Sequence, residues 1–132
     1  MTLAPLIVAP GVIQLHVAAA LAAIALGIVQ LAAPKGTIPH RQLGLIWSGL
    51  IALTALSSFF IHTLRVWGPW SPLHLLSLFT LVMLARAVIA ARRHDVARHR
   101  RAMMAMYGLG IVLPAVIALL PGRTMRAVVF GG

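Results

Sequence analysis

The sequence predicts an all-α integral membrane protein, an up-down-up-down four-helix bundle forming a single transmembrane domain over residues 1–132. Three observations predict it. Of the 132 residues, 61% are hydrophobic and 9% charged, whereas a soluble domain carries about 25% charged residues, so lipid must be the solvent for most of the chain. The apolar residues fall into four runs, each reaching the ~20 residues a helix needs to cross a bilayer. The connections between runs span about ten residues or fewer, which makes neighbouring helices antiparallel.

The first helix is expected over 5–33, starting in earnest after Pro10 and ended by "PKGTIPHR". Its leading "MTLAPLIV" lacks the basic n-region of a signal peptide and reads as part of a retained span. The second helix is expected over 38–63. "RVWGPWSP" then makes a turn, with Trp67 and Trp70 suited to the interfacial belt. Ser71 and Pro72 form an N-cap and first-position pair for a third helix over 72–91. Asp95 is expected to cap a fourth helix over 96–120, kinked at Pro114. "PGRTMRAVVFGG" follows as a short tail.

The formal charge is +10, from eleven Lys/Arg and one acid, Asp95. In a soluble chain that balance would point to nucleic acid. Here the cations sit between apolar runs, where topology and anionic lipid head groups account for them, and no nucleic acid is expected. Lys35, Arg41, Arg92, Arg93, Arg98, Arg100 and Arg101 occupy two connections; Arg65, Arg123 and Arg126 fall on the other side. Seven cations against three place the basic loops in the cytoplasm of a bacterial inner membrane, with both termini outside. Cysteine is absent, which removes disulfides, thiolate metal sites and thiol nucleophiles.

The histidines carry the functional expectation, because an ionisable group inside an apolar span is functional by default. The dipeptide His-Arg opens both even-numbered helices, at His40-Arg41 and His99-Arg100. His16 lies 24 residues before His40, and His74 lies 25 before His99. The chain thus reads as two hairpins of the same order, related by an axis along the membrane normal. In such a bundle the first and third helices are diagonal, as are the second and fourth. His16 would face His74 near the outer side, and His40 would face His99 near the inner side. The two layers would stand on the order of 20 Å apart. Gly27, Ala85 and Gly110 each follow a histidine by eleven residues, a rotation of about 20°. Such small residues on the histidine faces suit either a flat ligand between helices or close helix packing.

Two facing imidazoles suit low-spin haem iron, and a bis-histidine iron with no open position suits electron transfer. Arg41, Arg100 and Arg65 are placed to pair with propionates. His62 lies 22 residues after His40 and returns to nearly the same face. With His16 and His74 it could form an outer three-histidine site for zinc or copper. No span contains Asp or Glu, which disfavours hydrolysis and proton-coupled transport. Ser57 and Ser58 have no triad acid and read as packing and hydrogen bonding; Met103, Met104 and Met106 read as core filler.

The order of His16, "HRQLGLIW", "SSFFIH", "SPLHLLSLF", "HRRAMMAMY" and "LPGR" resembles, over nearly the whole chain, an uncharacterised family of predicted bacterial four-span membrane proteins. The four-histidine layout also resembles the core of the di-haem b-type cytochromes. That resemblance implies one haem b held by His16 and His74, a second by His40 and His99, and a quinone or small reductant as partner. The inner histidines depart from the pattern by lying very near their helix starts. The resulting expectation is a membrane haem protein that transfers electrons, an oxidoreductase in reaction class. Its rivals are a zinc- or copper-binding protein at His16, His62 and His74 that assists assembly of a respiratory complex, and a small structural subunit, in either case with a homo-oligomeric or respiratory-complex partner.

Overall fold

In a computed structural model of the chain, residues 1–32, 34–61 and 72–131 are described. Their regular structure is helical throughout: α1 Ala4–Ile7, α2 Gly11–Ala32, α3 Ile38–Ser58, α4 Pro72–Arg92, α5 Val96–Ala105, a π-helical segment Met106–Val112, α6 Leu113–Ala118 and α7 Thr124–Phe130. The stretch α5–π–α6 is one continuous rod, Val96–Ala118.

The breaks between helices have local causes. Pro10 lacks an N–H and separates α1 from α2. The carbonyls stranded at that joint are taken up by one side chain: Gln14 Nε2 donates to Leu6 O, Ile7 O and Ala9 O at 3.1, 2.9 and 3.2 Å. At the other end of α2, Lys35 Nζ donates to Gln30 O and Leu31 O, closing the last turn. Gly36 turns the chain at φ +77°, and Thr37 Oγ1 accepts from His40 N to start α3. Between α4 and α5 the chain reverses in three residues. His94 takes φ +57°, and Asp95 accepts from Arg98 N at 3.1 Å as the expected N-cap.

Around this frame the packing is inverted relative to a soluble domain. The interior is built from small residues: Ala23, Ala55, Ala87 and Ala90 are buried, while Leu45, Leu78, Ile28 and Val116 are more than half exposed. Small residues let helices approach closely, and large apolar ones face the lipid. The core where the four long rods meet consists of Ala23, Trp47, Ile51 and Met106. Trp47 Nε1 donates to Ala23 O at 2.9 Å, and its ring stacks on Tyr107 with centroids 6.2 Å apart and planes 3° from parallel. In sequence order each long rod packs on the next: α2 on α3, α3 on α4, α4 on α5 and the π segment.

Three expectations are refined. Among the described residues, three helices are long and apolar enough to cross a membrane: α2, α4 and Val96–Ala118. The expected span over 38–63 is not among them; α3 ends at Ser58 and carries His40, Arg41 and Gln42 in its first turns. The irregularity expected at Pro114 takes the form of a π-helical segment immediately before it. The missing proline N–H removes the ordinary i→i−4 bond there, and the backbone widens. The tail is not irregular: Gly122 turns at φ +82° into α7, which packs on α1. Thr2 N donates to Val128 O at 2.9 Å, so both chain ends lie at one end of the bundle, and the Lys35 and Arg92–Arg101 turns lie at the other. Trp67, Trp70 and Ser71 fall outside the described residues.

Candidate functional site

A cavity of about 390 Å³ opens at the end of the bundle where the chain termini meet. Its wall draws on all four long rods, including Val17 and Ala20 of α2, Thr54 and Ser58 of α3, Ser77 and Thr80 of α4, and Gly110 and Pro114 of the fourth rod. Both His16 and His74 belong to this wall. The wall is mostly apolar with a few polar groups, and its volume falls in the usual range for small-molecule sites.

His16 sits in the second turn of α2 and is held across the helix interface. Its Nδ1 lies 3.0 Å from Ser57 Oγ, and Ser57 Oγ donates to Thr54 O at 3.0 Å. A hydroxyl has one hydrogen. With that hydrogen given to the carbonyl, Nδ1 of His16 is the donor to Ser57, and Nε2 carries the free lone pair. A hydrogen-bond partner on one ring nitrogen fixes the tautomer of a metal-ligating imidazole in the same way. His74, in the first turn of α4, is 7% exposed, and its ring lies 6.2 Å from that of Phe59. Ser58 and Ser77 form a close hydroxyl pair that joins α3 to α4 on the same wall.

His40 and His99 are not on this wall. They lie at the basic end, near enough to influence each other electrostatically. His99 Nδ1 donates to Ala87 O at 2.8 Å, which leaves its Nε2 as the acceptor nitrogen. Trp47 stands seven residues beyond His40, about 10 Å along the helix. With Tyr107 and Met106 it fills the bundle between the two histidine layers. Arg41 and Arg100 are exposed at the basic end, away from the cavity. The guanidinium on the cavity wall belongs instead to Arg123, which burial pushes down from its ordinary range. Sequence reasoning did not select Arg123, because its proximity depends on the Gly122 turn. His62 and Arg65 fall outside the described residues, and among the described residues no three His, Asp or Glu side chains gather into a metal-binding group.

The small residues on the histidine faces are settled by their neighbours. A Cβ on Gly27 would meet the Tyr107 hydroxyl, and one on Gly110 would meet Thr80 Oγ1. Both glycines therefore serve close helix approach, while Gly110 also borders the cavity. Ala85 is exposed.

A family model described as "Predicted membrane protein (DUF2306)" matches residues 13–130. The chain belongs to this family. The match spans both hairpins and the cavity wall, from Ile13 to Met125. No curated protein and no solved structure matches the chain.

Proposed function

We propose that the protein is a four-span membrane haem protein that moves electrons, with one b-type haem in the cavity between His16 and His74. The observation that carries this reading is that imidazoles from two non-adjacent long helices, α2 and α4, line one cavity. The polarisation of His16 through Ser57 supports it. In this reading His16 and His74 hold the iron, and the apolar wall excludes water from the ring. Arg123 takes the part of propionate partner that the sequence suggested for Arg41, Arg100 and Arg65. Held by these two imidazoles, a haem would supply one-electron transfer. The resemblance to di-haem cytochromes suggests a quinone or small reductant as donor or acceptor. One haem is proposed rather than two because His16 and His74 line the cavity while His40 and His99 do not.

The same reading places α3 across the bilayer as the fourth span. It has 21 residues, about 31 Å of helix, and the joined chain ends require an even number of crossings. The excess of cations on the Lys35 and Arg92–Arg101 turns assigns those turns to the cytoplasm of a bacterial inner membrane. A reduced-minus-oxidised spectrum of the detergent-purified protein, reconstituted with haem b, tests the function. The expected result is a Soret band and sharp reduced α and β bands. A stable, folded protein that takes up no haem overturns it.

A further inference from the structure

Towards the basic end, three buried polar atoms have no hydrogen-bond partner among the described residues: Gln30 Oε1, His40 Nδ1 and Tyr107 Oη. Buried polar atoms are ordinarily paired, and such exceptions call for an explanation. These three are linked. Gln30 Nε2 donates to His40 O at 2.9 Å, so the amide stands beside the His40 turn. One helical turn deeper on α2 is Gly27, against which the Tyr107 hydroxyl lies. Tyr107 in turn stacks on Trp47 in the bundle centre and sits at the start of the π-helical segment. π turns within α-helices collect at functional positions.

The chemistry of the three atoms selects the occupant. Gln30 Oε1 is a carbonyl oxygen and can only accept, so it needs a donor. Tyr107 Oη can donate and accept, and His40 Nδ1 can do either. A cation is disfavoured by the Lys35 ammonium, which lies within electrostatic reach of His40. An anion is disfavoured by the Gln30 carbonyl oxygen. Water both donates and accepts, carries no charge, and routinely satisfies such groups.

We propose that Gln30, His40 and Tyr107 form a hydrated site through which water reaches the bundle centre from the basic end. Water enters beside His40, is held by Gln30 Oε1, and ends at the Tyr107 hydroxyl. Gly27 makes room for the Tyr107 end of the path, and the Trp47–Tyr107 stack closes it. This site is independent of whether the other cavity holds haem.

Water-edited solid-state NMR on the full chain in lipid bilayers tests it. Magnetisation from water should reach Gln30 Cδ, Tyr107 Cζ and the His40 ring at least roughly threefold faster than the dry core at Met106 and Ile51. In Gln30→Leu, transfer to Tyr107 should slow to the Met106 rate while transfer to His40 stays fast. Tyr107 and Gln30 filling as slowly as Met106 in the wild type would overturn the proposal, and that comparison needs no variant. Fast transfer to Tyr107 that persists in a folded Gln30→Leu protein would also overturn it, since the path would then bypass Gln30.

Discussion

His16 Nδ1 stands 3.0 Å from Ser57 Oγ, joining α2 to α3 on the wall of the cavity that His74 also lines. The pair matters because Ser57 is 5% exposed and its hydroxyl is also bonded to Thr54 O. Replacing Ser57 by Ala removes the hydroxyl that ties His16 Nδ1 to α3. The expected loss of stability is about 1–2 kcal/mol, read as a lower unfolding midpoint in detergent. Removing an outer-shell partner of a metal-binding imidazole typically weakens binding ~10–100-fold. Haem titration of Ser57→Ala should show a loss of that order, and unchanged affinity would detach Ser57 from the site.

Gly27 and Gly49 offer a matched pair. A methyl on Gly27 meets the Tyr107 ring and hydroxyl, whereas a methyl on Gly49 meets nothing within 4 Å. Gly27→Ala should destabilise the protein by about 1–3 kcal/mol through overpacking. Gly49→Ala should be neutral or stabilise it by up to ~1 kcal/mol, because alanine loses less backbone entropy in a helix. Thermal unfolding of the two variants side by side checks this; equal midpoints would mean that Gly27 is not a contact point.

Much of the fold was legible in the sequence. Apolar runs placed α2, α4 and the fourth rod within a few residues, and the acid before Val96 marked its cap. The face shared by His16 and Gly27 on α2 was legible too, because 100° per residue fixes it, whereas the π-helical segment breaks that spacing between His99 and Gly110. What fills a face was not legible. Periodicity cannot say that Tyr107 lies against Gly27, that Thr80 lies against Gly110, or that the tail folds back as α7 to bring Arg123 to the cavity. Those facts depend on partners distant in sequence. The role of Ser57 was readable only as hydrogen bonding, since its partner His16 lies 41 residues away.

Asp95 makes two interactions of unequal weight. It caps α5 through Arg98 N, and it pairs with Arg98 Nε at 3.6 Å on an exposed surface. An exposed pair of this kind contributes little, whereas a lost N-cap costs about 1 kcal/mol. Asp95→Ala should therefore destabilise the protein by about 1 kcal/mol while Asp95→Ser retains most of the stability. If the two variants lose equal stability, the ion pair dominates instead.

The absence of cysteine makes single-cysteine labelling clean. Ala97 is exposed in the basic turn region and Leu3 is exposed at the end where the termini meet. In inverted and right-side-out bacterial inner-membrane vesicles, Ala97→Cys should react with an impermeant maleimide from the cytoplasmic side, and Leu3→Cys from the other. Reaction of both from one side would require an even number of crossings between them and remove α3 from the membrane.

The most direct measurement is a haem b titration of four single variants, His16→Ala, His74→Ala, His40→Ala and His99→Ala, followed by the reduced spectrum of each. His16→Ala and His74→Ala should each lose the low-spin α band, while His40→Ala and His99→Ala keep it. Retention of that band in His16→Ala or His74→Ala, with its loss in the His40 or His99 variant, would contradict the assignment of haem to the cavity that His16 and His74 share.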